Sequence, residues 1–221
     1  GFIASETGAG STWVISSSSF RLSPWHNDPV CDRPGECIYL RDEETGETWT
    51  PTPEPIRERT AYTVKHGAGY STFDHVHDGI ATSLRMGVPT NDPVKLQVLT
   101  LSNRGSRPRR LGMVSYVEWV LGNQREHTQH HVRTSLDART EVMLARNSFE
   151  REFAGMSAFS AISEPLTGYT ASRRGFLGRN GSLSSPHALV HNGLDGKMGY
   201  SPDPCAALQT EIHLPHGETT A

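Results

Sequence analysis

Residues able to bind a sugar crowd into the first thirty positions. Trp13 is followed by Arg21, Trp25, His26, Asn27 and Asp28, and Pro24 and Pro29 break the run. An indole face stacks on the apolar C–H face of a pyranose, while amides, carboxylates and guanidinium forks take its hydroxyls. Arg21, Trp25, Asn27 and Asp28 are the candidate carbohydrate-binding residues. A plainer reading competes: a tryptophan packed on the edge of the fold, followed by Asx turns leading into Pro29.

A second group lies between Ser172 and Leu183. Arg173, Arg174 and Arg179 alternate with Gly175, Gly178 and Gly181 around an apolar Phe176-Leu177 pair. Glycines let a backbone approach a partner closely, at the cost of entropy lost on ordering. The surrounding stretch, Thr167 to Ser185, reads as one long loop, and loops beyond ~12–15 residues are usually functional or disordered. Arg173, Arg174, Phe176 and Arg179 are therefore the candidate interface or active-site loop. The expectation is a segment that is mobile unless docked on a partner. A freely exposed loop and an intramolecular plug are the alternatives.

Other groups read more plainly. His75 and His77 share one face of a strand, and His127, His130 and His131 lie in or beside a loop. No histidine spacing matches a metal signature, so no metal is expected. Glu118 stands between apolar residues and reads as a buried carboxylate paired with an arginine rather than a general acid. The four arginines from Arg104 to Arg110 lack interleaved aromatics, sit in a chain of net charge −3, and read as a solvated hairpin tip. Cys31, Cys37 and Cys205 form an odd, unpatterned set of thiols. No catalytic residue and no cofactor is assigned.

The elements that hold these groups read as strands. The hydrophobic fraction is 35% and the charged fraction 20%, which suits a packed core and not a disordered chain. The acidic balance argues against nucleic acid and anionic membranes as partners, and no apolar run is long enough to insert in a bilayer. Ala61–His66, Tyr70–Val76 and Ile80–Val88 alternate, with Asp78-Gly79 as a hairpin signal. Val94 to Thr100 and Leu111 to Trp119 also alternate, and with Asn103-Arg104-Gly105-Ser106 between them they read as an antiparallel hairpin. Strands follow at His130–Ser135, Val142–Asn147, Gly155–Ile162 and Ala207–Leu214, and Pro215 starts a turn that leads nowhere. No amphipathic helix longer than about ten residues is visible. The pattern predicts an all-β antiparallel sandwich, residues 1–221 as a single domain. Lacking an initial Met or a signal segment, the chain reads as excised from a larger protein.

An ordered set of landmarks resembles one family. It runs through Trp13, Arg21-Leu22 with Pro24-Trp25, Asn27-Asp28-Pro29-Val30, Tyr39-Leu40-Arg41-Asp42 and Trp49 with Pro51. It continues through His66-Gly67 with Gly69-Tyr70, Leu99-Thr100-Leu101 with Asn103, Tyr116-Val117-Glu118-Trp119 and Phe176-Leu177-Gly178. The set resembles the N-terminal β-sandwich domain of the glycosyltransferase family 36 / family-94 glycoside phosphorylases. Ser23 to Val30 and Arg41 to Gly46 favour the version found in bacterial cyclic β-1,2-glucan synthases. The resemblance implies a galactose-mutarotase-like β-supersandwich, a β-glucan or glucose-based oligosaccharide as partner, and a following linker and (α/α)6 barrel carrying the catalytic acid. It also implies a homodimer and a cytoplasmic module of a large inner-membrane-anchored bacterial parent. The fragment itself is then non-catalytic and supports the barrel. The alternatives are a mutarotase-like epimerase, which needs a histidine pair and a carboxylate in one cleft, and a purely structural dimerisation domain.

Overall fold

A computed structural model describes every residue except Pro29, Glu152, Phe153 and Asn192. The chain opens with a small hairpin of β1 (Phe2–Ala4) and β2 (Gly10–Thr12), followed by β3 (Glu36–Asp42) and β4 (Thr48–Trp49). A meander comes next: β5 (Thr63–Gly67), β6 (Tyr70–His77), β7 (Ile80–Gly87) and β8 (Leu96–Asn103). The β6–β7 turn has Asp78 at φ 40° and Gly79 at φ 79°, the two positive values a tight type I′ hairpin requires. Then β9 (Arg109–Glu118) leads through a short helix α1 (Arg125–Thr128) and a 3-10 turn to β10 (Val132–Asp137), β11 (Val142–Asn147) and β12 (Ala158–Ser160). The last third holds β13 (Gly168–Ser172), α2 (Arg173–Leu177), α3 (His187–Val190), β14 (Gly199–Tyr200), β15 (Pro204–Leu214) and β16 (Thr219–Thr220). The expected antiparallel all-β architecture is what the chain adopts.

Three sheets make the sandwich. The central one has the order β13-β15-β9-β3-β4, and β9 is paired along its length by β3 and β15. One of its faces meets both other sheets. Ile38, Leu40, Leu111, Met113 and Leu214 pack against Phe73, Ile80, Leu84, Met86 and Leu101 of the sheet β16-β8-β7-β6-β5. Further along the same face, Ala206 and Leu208 pack with Trp119 against Val132, Met143 and Ala145 of the sheet β12-β11-β10-β14. The opposite face carries Cys37, Tyr39, Val114, Tyr116, Cys205 and Ala207 and is covered at one end by α2 and α3.

Two expectations are corrected. Strands β8 and β9 do not form a hairpin: β8 pairs with β7 and β16, whereas β9 lies in the central sheet. The Asn103–Ser106 turn is a crossover between sheets, tied down where the Arg104 amide donates to the Gly79 carbonyl at 2.8 Å and the Asn103 side chain to Leu214 O at 3.0 Å. Alternation reports which face a side chain takes, not which strand lies beside it. Pro215 to Glu218 also leads somewhere: it returns the chain to β16, which pairs with β8 through Thr219–Ser102 and Thr220–Leu101.

Candidate functional site

The structure brings Arg21 and Trp25 together. Arg21 forms isolated bridges to Trp13 and Gly122, so its backbone is pinned to the sandwich end. Its Nε donates to Ser17 O at 2.8 Å and its Nη1 to Trp25 O at 3.4 Å. The guanidinium therefore shapes the turn that presents Trp25, and both side chains keep part of their surface in solvent. Asn27 is exposed, has φ 46°, and its amide makes no hydrogen bond among the described residues. Asp28 accepts from the Val30 and Cys31 amides at 2.9 and 3.2 Å, and these donors hold its carboxyl below the usual range. Asp28 is thus an Asx-turn residue, with Pro29 outside the described residues. What remains open to a ligand is the half-exposed indole, the Asn27 amide and the outer edge of the Arg21 fork.

The Ser172–Leu183 segment is not a mobile loop. Ser172 caps α2, its Oγ accepting from the Gly175 amide at 3.1 Å. Phe176 is fully buried, 5.0 Å from the Tyr116 ring in a stacked arrangement and 5.6 Å from Tyr39 edge-on. The Tyr39 hydroxyl donates to Leu183 O at 2.8 Å, closing the segment over the sheet. Phe176 is a core plug, because a hydrophobic floor of Cys37, Val114 and Ala207 lies beneath it that no local sequence signal reveals. Arg173 is likewise committed inward, whereas Arg174 and Arg179 are exposed.

Glu118 anchors a ring of charges. Arg125 Nε lies 2.5 Å from one of its oxygens and Arg173 Nε 2.9 Å from the other, and both arginines also reach Asp203. The ring ties α1, α2 and the start of β15 to the end of β9. As expected, Glu118 is a paired structural carboxylate. The Arg104–Arg110 run departs in part from the expected solvated tip, with Arg104 and Arg110 exposed. Arg109 is buried, 2.6 Å from Asp42 and 3.0 Å from Asp78, and Arg107 pairs with Glu44. The acids that pair with this run, Asp42, Glu44, Asp78 and Glu211, are brought to it by the fold.

His75 and His77 converge on one carboxylate. His77 Nδ1 lies 2.6 Å from Glu58 Oε1, and His75 Nε2 bonds Glu58 Oε2. Each imidazole is also stacked, His75 on Tyr62 at 3.8 Å and His77 on Trp49 at 4.1 Å. The two rings do lie on one side, as their spacing implies; His75 is buried and His77 partly so, on a strand edge strapped by residues 50–62. The network fastens that strap to β6. Replacing Glu58 with Ala should cost about 1–3 kcal/mol, since it strands buried ring nitrogens. It should also raise amide exchange from Arg57 to Tyr62, and exchange left unchanged there would refute the strap. Among the described residues no group of three histidine, cysteine or acidic side chains is placed to hold a metal ion. All three cysteines are free, and burial pushes the Cys37 thiol up to about 12.

The family described as "Glycosyl hydrolase 94, supersandwich domain" matches residues 1–221. The chain belongs to this family. This supersandwich domain is 38% identical to the cyclic beta-(1,2)-glucan synthase NdvB of Rhizobium meliloti (strain 1021), over 98% of the chain and 8% of that protein. It is 32% identical to the solabiose phosphorylase of Paenibacillus borealis, over 82% of the chain and 24% of the relative. It is 25% identical to the N,N'-diacetylchitobiose phosphorylase of Vibrio furnissii, over 98% of the chain and 28% of the relative. The chain thus spans well under a third of each of these proteins, all of them enzymes of larger size.

Proposed function

We propose that residues 1–221 form one unit that serves a β-glucan synthase or phosphorylase as a non-catalytic, carbohydrate-associated module. Its work is to support the (α/α)6 catalytic barrel of the same parent chain and to present a sugar-binding rim at Arg21, Trp25 and Asn27, with Asp28 shaping the turn that carries it. The observation that carries this reading is how the chain spends its buried acids. Glu36, Asp42 and Glu118 each already hold a lysine or arginine, and Glu58 holds two histidines, so these carboxylates serve the fold. The match to a small part of larger enzymes points the same way. The exposed Arg174 and Arg179 belong to the face that meets the barrel or a second subunit. The parent is a bacterial protein anchored in the inner membrane with this module in the cytoplasm; among the described residues no helix is long and apolar enough to cross a membrane.

Sophorose, the β-1,2-linked glucose disaccharide, tests the rim. Trp25→Ala and Arg21→Ala should each weaken its binding about tenfold, as expected for losing a stacking platform or its support. Binding unaffected by either change excludes the rim, and no binding at all leaves a purely structural domain. The convergence of His75 and His77 on Glu58 favours a second reading, a mutarotase-like epimerase. Polarimetry of α-D-glucose decides it: acceleration that disappears in Glu58→Gln would support catalysis.

A further inference from the structure

The central sheet's outer face is only half covered. Strand register places Tyr39, Val114, Gln209 and Gly168 in one row across it, and Arg41, Gly112 and Glu211 in the next. Helices α2 and α3 cover the neighbouring rows from Cys37 to Ala207 and reach over Tyr39 and Val114, leaving the Gln209 and Gly168 end of the first row and the second row without helix cover among the described residues. A cavity of about 270 Å³ opens over the uncovered rows. That is near the lower end of the ~300–1,000 Å³ typical of small-molecule sites, so it suits a ligand of one or two rings.

The walls of this cavity differ in kind. One is apolar, made by Ala188, Leu189 and Leu194. The other carries Arg41, Glu43, Gln209 and Glu211. The floor is glycine at two places: the Glu43 carboxylate lies directly over Gly112, and the Gln209 side-chain oxygen and Leu194 lie close over Gly168. Glycine at these two strand positions lets those side chains approach the backbone closely.

Among the described residues two polar groups here lack partners. Arg41 Nη1 is engaged with Glu43 at 2.5 Å, but the buried Arg41 Nε has no hydrogen bond. The Gln209 amide makes none among the described residues, although its backbone is fixed in β15. An amide offers two donors and a carbonyl acceptor, so Gln209 is a complete and unused hydroxyl-binding group. Glu211 is half-exposed, with Arg110 at 3.6 Å and His213 at 3.3 Å, and keeps lone pairs for a further donor.

We propose that this cavity is a second ligand site, which takes a single glucosyl unit or a closely similar neutral polyol. The choice of a sugar rests on the carbohydrate reading above; the location does not, because the cavity shares no residue with the Arg21–Asp28 rim. Glu43 and Glu211 offset Arg41 and Arg110, so no net positive charge is left here to favour phosphate or other anions. Glu43 is spent on Arg41, so a cation finds no cage. A pyranose fits both walls: its C–H face lies on Leu189 and Leu194, and its hydroxyls meet Gln209 and Glu211. Recognition of this kind combines a mostly apolar surface with a few placed polar groups.

The test is a titration of the isotope-labelled chain with D-glucose, sophorose and, separately, inorganic phosphate, followed by amide chemical shifts. Both sugars are expected to shift Gly112, Gly168, Leu194 and Gln209, and phosphate to leave them in place. Gln209→Ala and Glu211→Gln remove groups with little role in holding the fold, and each should weaken the sugar response about tenfold with the melting temperature unchanged. Shifts confined to Trp25 and Asn27 would overturn the cavity and leave the rim standing. No sugar shift anywhere would overturn both. Cavity shifts that appear with phosphate alone, or that survive both substitutions, would overturn the assignment of these residues to a neutral sugar.

Discussion

Replacing Phe176 with Ala is expected to destabilise the fold by about 3–5 kcal/mol, the range for emptying a buried phenylalanine site. Phe176 has no exposed surface and is wedged between Tyr39 and Tyr116 over Cys37, Val114 and Ala207. These neighbours belong to three paired strands and cannot collapse into the vacancy, which keeps the loss near the upper part of that range. Urea denaturation of the variant gives the number directly. A loss under about 1 kcal/mol would mean that the 173–183 segment is peripheral after all. Arg174→Ala, on the same helix but exposed, is the natural control and should leave stability within about 0.5 kcal/mol.

Removing the Glu36 carboxylate should have an effect of similar size for an electrostatic reason. Lys95 Nζ lies 2.6 Å from Glu36, and both side chains are nearly buried. The Ser23 hydroxyl also donates to Glu36 and in turn accepts from the Thr12 amide at 2.9 Å. Glu36→Ala leaves an ammonium buried without a counter-charge, which costs about 3–5 kcal/mol in comparable sites. Glu36→Leu combined with Lys95→Met should recover most of that loss, because apolar replacement of both partners is often close to neutral.

The same pair dictates a response to acid. Burial by itself would raise the Glu36 carboxyl, but Lys95 and the hydroxyls of Ser23 and Thr12 outweigh it and hold the group below the usual carboxylate range. The unfolded chain then binds this proton more readily than the folded one. Its stabilisation is complete above the unfolded value of about 4.3 and is lost as pH falls from there through the lower folded value. Urea midpoints measured between about pH 5 and pH 2 should fall more steeply for the wild type than for the double variant. Parallel curves would show that Glu36 does not govern acid unfolding.

Much of this architecture was legible in the chain. Alternation located most strands, and Asp78-Gly79 marked its hairpin because only residues tolerant of positive φ can make that turn. The landmarks from Trp13 to Gly178 pointed to the family to which the chain belongs. Glu118 was readable as a paired carboxylate, since a charge among apolar neighbours on a central strand needs a counter-charge. Which arginines supply it was not readable: Arg125 and Arg173 arrive from helices on either side.

The failures share a cause. Residues 96–98 and 111–113 alternate alike, yet Leu96 and Val98 lie about half-exposed while Leu111 is buried, and their strands belong to different sheets. Gly175, Gly178 and Gly181 suggested freedom, but Phe176 found a hydrophobic floor assembled from three strands that lie both well before and after it in sequence. The uncovered cavity beside Gln209 was likewise invisible, because Arg41, Gly112, Gly168 and Gln209 meet only through strand register. By itself the sequence determined what short-range physics sets: strand periodicity, turn chemistry, charge balance and family landmarks. Tertiary structure alone decided which sheet each strand joined, which arginines were neutralised and which face stayed open, since those outcomes depend on distant surfaces brought together by burial.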